Sequence, residues 1–422
     1  MTEPSMSAML RVFGRIGLLS FGGPAAQIAV MHRELVEDRP WLSEQGFLRA
    51  LSFCMLLPGP EAMQLATYAG WRLRGIPGGL LAGLLFVLPG ALIIGVLVWL
   101  YALYGELELV QAGFLGIKAS VVVIVLLALR KLARKALHGR AAWVLAGIGF
   151  FGLFVLNLPF PLIVLSAGMY GLLRGGEAAD VEVLRHTVNI YSTAQQLLIW
   201  GGLWLLPLIA LSVIGADFLA SIGWFFAKLA VVTFGGAYAV LAYMSQTVVE
   251  QYQWISTGHM IDALGLAETT PGPLILVTQF VAMLAGLQQQ GPLLGLAAGV
   301  VALWATFMPC FLWIFIAAPH VERISSQPRI GAALKAITAA VVGVILNLSV
   351  WFSLHVLFSK IDRIEYSIVS LAIPAPNSLN AIALGLVCLA AFAMYITRGS
   401  MVLTLFVMAI AGTCSTLLPG IG

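Results

Sequence analysis

Arg15, Lys118, Lys228 and Lys335 lie within otherwise apolar stretches of this sequence. A cation at the centre of a membrane helix costs about 3 kcal/mol on insertion scales, so it is kept where it lines a pathway or meets a partner. Arg15 and Lys335 stand nearer segment ends, where a long side chain can also reach the interface. Glycine–proline interruptions accompany them: Phe21-Gly22-Gly23-Pro24, Leu57-Pro58-Gly59-Pro60, Phe234-Gly235-Gly236 and Thr270-Pro271-Gly272-Pro273. Glycine frees the backbone, and proline removes a donor and crowds the preceding turn. Such pairs unwind a helix. Unwound backbone at membrane depth survives only where protein buries it or a cavity wets it. The helix that restarts beyond it offers free N–H groups and a positive dipole end, which attract anions. One break alone reads as a plain kink; paired breaks read as an anion site.

Glu61 directly follows Pro60, in the first turn of a restarted helix. It is either an acid that stabilises that N-terminus or a proton-titrating carboxylate beside the anion, with Gln64 one turn on as a neutral donor. Glu268, just before the last break, could serve in its place. Arg49 and Asp262 are a charge pair or a pathway gate, and the sequence leaves this open.

Other chemistries find little purchase. The histidines His32, His138, His186, His259, His320 and His355 are scattered and form no metal cluster, and most sit near expected span ends. Cys54, Cys310, Cys388 and Cys414 lie in apolar stretches without ligand spacing and read as small buried hydrophobes. No phosphate-binding loop, nucleophile elbow, HExxH or paired catalytic carboxylates occur. We therefore expect no enzyme, no cofactor and no metal. Transport energy would come from an ion gradient. The net charge of +4 fits basic cytoplasmic loops, not nucleic-acid binding.

The elements that must position these residues are membrane helices. Of 422 residues, 61% are hydrophobic and 9% charged, against roughly 25% charged in soluble domains. No soluble-domain-sized segment separates the apolar runs. The start of the chain lacks the features of a secretory signal, so the first apolar segment is expected to stay in the mature protein. Apolar windows predict spans near 8–30, 46–72, 77–104, 109–130, 141–157 and 160–173, a polar linker from Arg174 to Ser192, a span near 195–216, and six more near 222–248, 258–287, 291–318, 330–356, 378–396 and 400–418. The spans 141–157 and 160–173 are short enough to form a hairpin that does not cross fully. The fold class expected is all-α integral membrane, with about 13 spans. Its domains are a first repeat over 1–174, a linker with one extra span over 175–217, and a second repeat over 218–422.

The repeat is read from register. Phe21-Gly22-Gly23 recurs at Phe234-Gly235-Gly236 and Pro58-Gly59-Pro60 at Pro271-Gly272-Pro273, both 213 positions on. Without a gap at that offset, Met31 falls on Met244, Glu37 on Glu250, Trp41 on Trp254 and Ser43 on Ser256. Arg15 falls on Lys228, and Glu61 on Leu274. Seven spans separate equivalent helices, so the halves are expected to be inverted. Loop charges agree: Arg130, Lys131, Arg134, Lys135 and Arg140 crowd one loop, and its counterpart balances Lys360 and Arg363 with Asp362 and Glu365. This places the N-terminus in the cytoplasm and the C-terminus in the periplasm.

The sequence resembles the chromate ion transporter family in its long-chain, two-repeat form. The resemblance rests on Phe21-Gly22-Gly23-Pro24, the stretch from Met31 to Trp41, Leu57-Pro58-Gly59-Pro60-Glu61-Ala62, Gln64-Leu65-Ala66 and the turn from Gly70 to Gly75. In the second half it rests on Phe234-Gly235-Gly236-Ala237-Tyr238, Trp254 and Thr270-Pro271-Gly272-Pro273. It implies a bacterial inner-membrane protein of thirteen spans with antiparallel halves that expels chromate and confers resistance, sulfate competing as a look-alike dianion. The residues themselves argue only for an anion. A carrier of sulfate or another oxyanion, an importer, and a non-transporting sensor or scaffold stay open, as does a homodimer. The expected site comprises Arg15, Gly22, Gly23, Pro58, Gly59, Glu61, Gln64, Lys118, Lys228, Gly235, Gly236, Pro271, Gly272 and Lys335. The expected partners are the oxyanion and the lipid bilayer.

Overall fold

The computed structural model describes residues 4–175, 190–234, 237–321, 327–366, 369–397 and 399–415. Their structure is helical apart from one β-hairpin. Among them, five helices are long and apolar enough to cross a membrane: Glu61–Tyr104, Glu108–Ala136, Thr193–Val213, Pro292–His320 and Pro328–Leu357. Shorter apolar helices include Arg140–Phe154, Phe160–Arg174, Ala381–Ile396 and Met401–Ser415. A 15-residue helix such as Arg140–Phe154 is only about 22 Å long, against a hydrocarbon core of about 30 Å.

The chain forms two compact units, and each takes residues from both halves of the sequence. The first comprises Met1–Val98, Leu172–Ala237 and Thr270–Leu334. It contains α1 (Met6–Leu19), α2 (Pro24–His32), α3 (Glu44–Cys54), most of α4 (Glu61–Tyr104), α8 (Ile190–Val213), α9 (Asp217–Val232), α12 (Val277–Gln290) and α13 (Pro292–Ala317). Arg74 and Gly75 leave helical geometry inside α4, and the chain doubles back there. A Cβ on Gly70 would strike the Gly78 carbonyl, and one on Gly83 would meet the Thr67 hydroxyl. The turn at Gly291 between α12 and α13 repeats the device: a Cβ on Gly286 would sit 2.8 Å from Gly295. Small residues thus let neighbouring helices approach to backbone contact, the usual means of packing where lipid removes the hydrophobic drive. Trp204 donates to the Ala305 carbonyl and Trp304 to the Leu203 carbonyl, both at 3.1 Å, tying α8 to α13.

The second unit comprises Trp99–Gly171, Tyr238–Thr269 and Lys335–Gly422. It contains α5 (Glu108–Ala136), α6 (Arg140–Phe154), most of α7 (Phe160–Arg174), most of α10 (Ala237–Gln246), α11 (Thr257–Thr269), most of α14 (Pro328–Leu357), α15 (Ala381–Ile396) and α16 (Met401–Ser415). Glycine notches recur here. Gly116 lies against the Met408 carbonyl and Gly412 against the Ala112 carbonyl, joining α5 to α16; Gly149 and Gly343 join α6 to α14 in the same way. Ala119, Val123, Leu386, Ala390, Ala393 and Met408 fill the core between α5, α15 and α16. The antiparallel hairpin of β1 (Ile361–Tyr366) and β2 (Val369–Pro374) joins α14 to α15. Helix-length apolar windows do not register it, because each strand is only 6 residues.

Local structure follows the repeat, the hydrogen bonds of Trp41 and Ser43 recurring at the 213-residue offset and the π-turn one residue later. A π-turn spans Arg33–Glu37 in one half and Thr247–Gln251 in the other. The Trp41 amide donates to the Leu35 carbonyl at 3.1 Å, and the Trp254 amide to the Val248 carbonyl at 2.9 Å. Ser43 caps α3 by accepting from the Gly46 amide at 3.1 Å, and Ser256 accepts from the His259 amide at 3.2 Å.

Candidate functional site: crossed helix breaks and a buried ion pair

The first unit gathers the helix breaks. Helix α1 ends at Ser20, and α9 ends at the equivalent Thr233. Each hydroxyl folds back onto its own helix at 2.6 Å, Ser20 to the Ile16 carbonyl and Thr233 to the Leu229 carbonyl. The last carbonyls of a helix have no partner within it, and here they find one reciprocally. The Gly59 amide donates to the Thr233 carbonyl, and the Gly272 amide donates to the Ser20 carbonyl, both at 2.8 Å. The Pro-Gly-Pro break of each repeat is thus pinned to the Phe-Gly-Gly break of the other. Repeat-equivalent atoms make both bonds, as a local two-fold exchange of the repeats would require.

The glycines are needed for this. Gly22, Gly59 and Gly272 adopt φ of 68°, 121° and 94°, a region that costs a side-chain-bearing residue about 1–2 kcal/mol. Gly23 occupies the N-cap of α2 with Pro24 at its first position. A glycine cap supplies no side-chain acceptor; Pro24 carries no N–H, and the Ala26 and Gln27 amides donate to the Gly23 carbonyl at 3.1 and 3.4 Å. Two buried amides brace the breaks. Gln64 donates to the Pro58 carbonyl and Gln27 to the Gly272 carbonyl, both at 2.7 Å. The Gln64 nitrogen faces a carbonyl, which leaves its own Oε1 buried without a hydrogen-bond partner.

The two Pro-Gly-Pro segments differ in setting. Pro58, Gly59, Pro60 and Glu61 are half-buried, whereas Pro271, Gly272, Pro273 and Leu274 are buried. Glu61 opens α4 in its first turn; at the equivalent place Leu274 opens a short 3-10 turn. Gly235 and Gly236 lie outside the described residues, as do Glu177, Asp180, Glu182, Arg185 and His186 of the linker.

The cations are placed differently. Arg15 is exposed on α1 and meets the fully buried Glu34 at 3.3 Å, and Arg39 holds the other oxygen of that carboxylate. Lys228 is exposed on α9, and Lys335 on α14. Lys118 belongs to the second unit, where its Nζ lies 3.2 Å from Oδ1 of Asp262. The Tyr101 hydroxyl donates to the other oxygen of Asp262 at 2.7 Å. Asp262 therefore takes Lys118 as its ion-pair partner, while Arg49 donates to the Gln45 carbonyl of its own helix. On α11, two turns from Asp262, buried Glu268 accepts from the Tyr238 hydroxyl at 2.7 Å. Among the described residues, no cluster of three or more metal-ligating side chains occurs.

Sequence reasoning missed Ser20, Thr233, Gln27 and Tyr101. Ser20 and Thr233 left a trace: a small hydroxyl residue precedes Phe-Gly-Gly in both halves. Gln27 is a lone amide in an apolar stretch. Tyr101 left no trace, being one more aromatic near a span end.

Apolar helices beyond what water tolerates, duplicated halves and interlocked helix breaks define a multi-pass membrane protein of transporter type. The family model described as chromate transporter matches residues 7–172 and again residues 220–414. The chain belongs to that family, and it carries the family's unit twice. It is 32% identical over 342 residues to a probable chromate transport protein of Synechococcus elongatus, covering 81% of this chain and 83% of that protein. It is 30% identical over 342 residues to a chromate transport protein of Cupriavidus metallidurans, covering 81% of each. A chromate transport protein of Pseudomonas aeruginosa is 33% identical over 349 residues, covering 79% of this chain and 77% of that protein. No solved structure matches.

Proposed function

We propose that this chain is a secondary active transporter that exports a tetrahedral oxyanion, chromate foremost, across a bacterial inner membrane, driven by an ion gradient. One observation carries the reading: the reciprocal bonds Gly59 to Thr233 and Gly272 to Ser20, which hold unwound backbone from both repeats together in one unit. Unwound backbone at membrane depth survives only where protein buries it or a cavity wets it, and broken helices at a repeat interface are where secondary transporters hold their substrates. The relatives' names supply chromate as the oxyanion. Sulfate, another tetrahedral dianion, is expected to compete.

In this reading thirteen spans cross the membrane, six over 1–174, one within 175–217 and six over 218–422, and the two sets are inverted. The N-terminus is cytoplasmic and the C-terminus periplasmic. Arg130, Lys131, Arg134 and Lys135, at three- and four-residue spacing along the last turns of α5, supply the basic face expected of the cytoplasmic side. The oxyanion is held by the restarted helices after Gly22-Gly23, Pro58-Gly59, Gly235-Gly236 and Pro271-Gly272. Glu61 and Gln64 shape the accessible half-site, and Arg15, Lys228 and Lys335 supply positive charge along the approach.

Inside-out membrane vesicles test this with labelled chromate, sulfate and molybdate. Chromate should accumulate when the vesicles are energised, unlabelled sulfate should reduce the uptake, and collapse of the proton and sodium gradients should abolish it. Chromate uptake no greater than in vesicles lacking the protein would overturn the reading. Preferred uptake of sulfate or molybdate would reassign the substrate.

A further inference from the structure

On the reading of this chain as a gradient-driven transporter, we propose that Asp262, with Lys118 as its counter-ion, is the proton-binding site that couples transport, and that His259 and Glu106 lead protons to it. Asp262 is the end of a graded series within one unit. The Glu106 side chain is 87% exposed and His259 is 20% exposed, with Nε2 of His259 3.6 Å from Oε1 of Glu106. His259 sits three residues before Asp262, so both lie on one face of α11. The Tyr101 ring stands edge-on to the His259 ring at 5.9 Å and its hydroxyl bonds Asp262. Asp262 itself is 1% exposed and Lys118 17%. Ionisable groups therefore run from the surface to a buried carboxylate.

The pair suits a switch. With Asp262 ionised, Lys118 and Asp262 sum to zero charge. A proton delivered along this path to the Asp262 carboxylate forms one O–H bond and leaves Lys118, 3.2 Å from Oδ1, as an uncompensated cation. Tyr101 keeps its own proton. The buried charge changes from zero to plus one, and a state change that relieves it is linked reciprocally to the affinity for a dianion. The ionisable groups facing Asp262 are Lys118 from α5, Tyr101 from the end of α4 and His259 from α11. The sequence of α16, also packed on α11, offers Cys414 as its one titratable residue. Glu268, the other buried acid of α11, is bonded to Tyr238; among the described residues, no ion pair connects it to the surface.

The test separates coupling from transport in proteoliposomes of purified protein. Chromate-for-chromate exchange requires the substrate site but no net proton movement; uphill accumulation driven by a pH gradient requires both. For Asp262→Asn we expect accumulation to fall by about tenfold or more, as a lost linkage of ordinary size implies, with exchange retained and chromate-dependent proton movement, read with a trapped pH dye, abolished. Asp262→Glu should recover part of the accumulation. His259→Ala should slow accumulation and shift its pH profile. Accumulation by Asp262→Asn equal to that of the unaltered protein would overturn the proposal. So would equal losses of exchange and accumulation together with a lowered unfolding temperature, which would mark the pair as structural. Absence of exchange in the unaltered protein would instead refute the transporter reading.

Discussion

Replacing Gly272 by alanine tests the crossed breaks most directly. Gly272 holds φ of 94°, and alanine there costs about 1–2 kcal/mol through its Cβ and neighbouring carbonyl. The added Cβ would also lie 3.1 Å from Cδ1 of Leu276 and 3.4 Å from Cα of Gly90. The leucine can shift, but the Gly90 backbone cannot move freely, since that residue packs against the Pro271 carbonyl. If the segment relaxes instead, it gives up two bonds: Gly272 amide to Ser20 carbonyl at 2.8 Å and Gln27 to Gly272 carbonyl at 2.7 Å. Each contributes about 1 kcal/mol. Either route gives a loss of about 1–2 kcal/mol. Gly59→Ala should behave alike, because its φ of 121° and its bond to Thr233 are the repeat equivalents. The control is Gly14→Ala: a Cβ there meets nothing within 4 Å, and a mid-helix alanine gains about 0.5–1 kcal/mol over glycine. Thermal unfolding in detergent should order the proteins Gly14→Ala, unaltered, then Gly59→Ala and Gly272→Ala together. Chromate exchange per folded molecule should fall only in the last two. Gly272→Ala unfolding at the temperature of Gly14→Ala would refute the claim that the crossing needs left-handed backbone.

Gln27→Leu keeps the volume but strips the donor from a buried carbonyl, and we expect a loss of about 1–3 kcal/mol in unfolding free energy, with Gln27→Glu no better at neutral pH because it removes the same N–H. On the proposed inversion, reporter fusions at His138 and Lys360, in equivalent loops of the two halves, should score on opposite sides of the membrane; a shared side would refute it.

The duplication was legible because glycine and proline are punctuation: their backbone consequences depend little on surroundings, so Phe-Gly-Gly and Pro-Gly-Pro mark the same breaks in both halves. The turn inside α4 was legible for a related reason, as Arg74-Gly75-Ile76-Pro77 separates two apolar windows and the helix breaks at Arg74 and Gly75. The crossing itself could not be read. Its acceptors are the backbone carbonyls of Ser20 and Thr233, and every residue owns a carbonyl. The partner of Lys118 was hidden by geometry: Asp262 lies 144 positions away, and only the packing of α11 on α5 brings them to 3.2 Å. Arg15 illustrates the same limit, since its expected role ignored Glu34, which a π-turn aims back at α1.

What the two halves share and what they do not then divides cleanly between backbone and charge. The breaks, the hydroxyl residues that precede them and the serine caps recur in one register, and the π-turns recur one residue off it. The ionisable groups mostly do not: Glu34 faces Thr247 across the repeat, Glu61 faces Leu274, Arg49 faces Asp262 and Met55 faces Glu268. On the proposed inversion of the halves, inward-open and outward-open states have comparable energy, because exchanging the conformations of the halves converts one into the other. Identical charges in both halves would preserve that balance and leave a proton nothing to bias. A carboxylate such as Asp262, present in one half only, makes the energy gap between the two states depend on protonation, and a ligand shifts an equilibrium only by its differential affinity for the two states. Duplicated breaks with unduplicated acids are therefore what a gradient-coupled carrier needs, and a passive frame would have no physical reason to keep them apart.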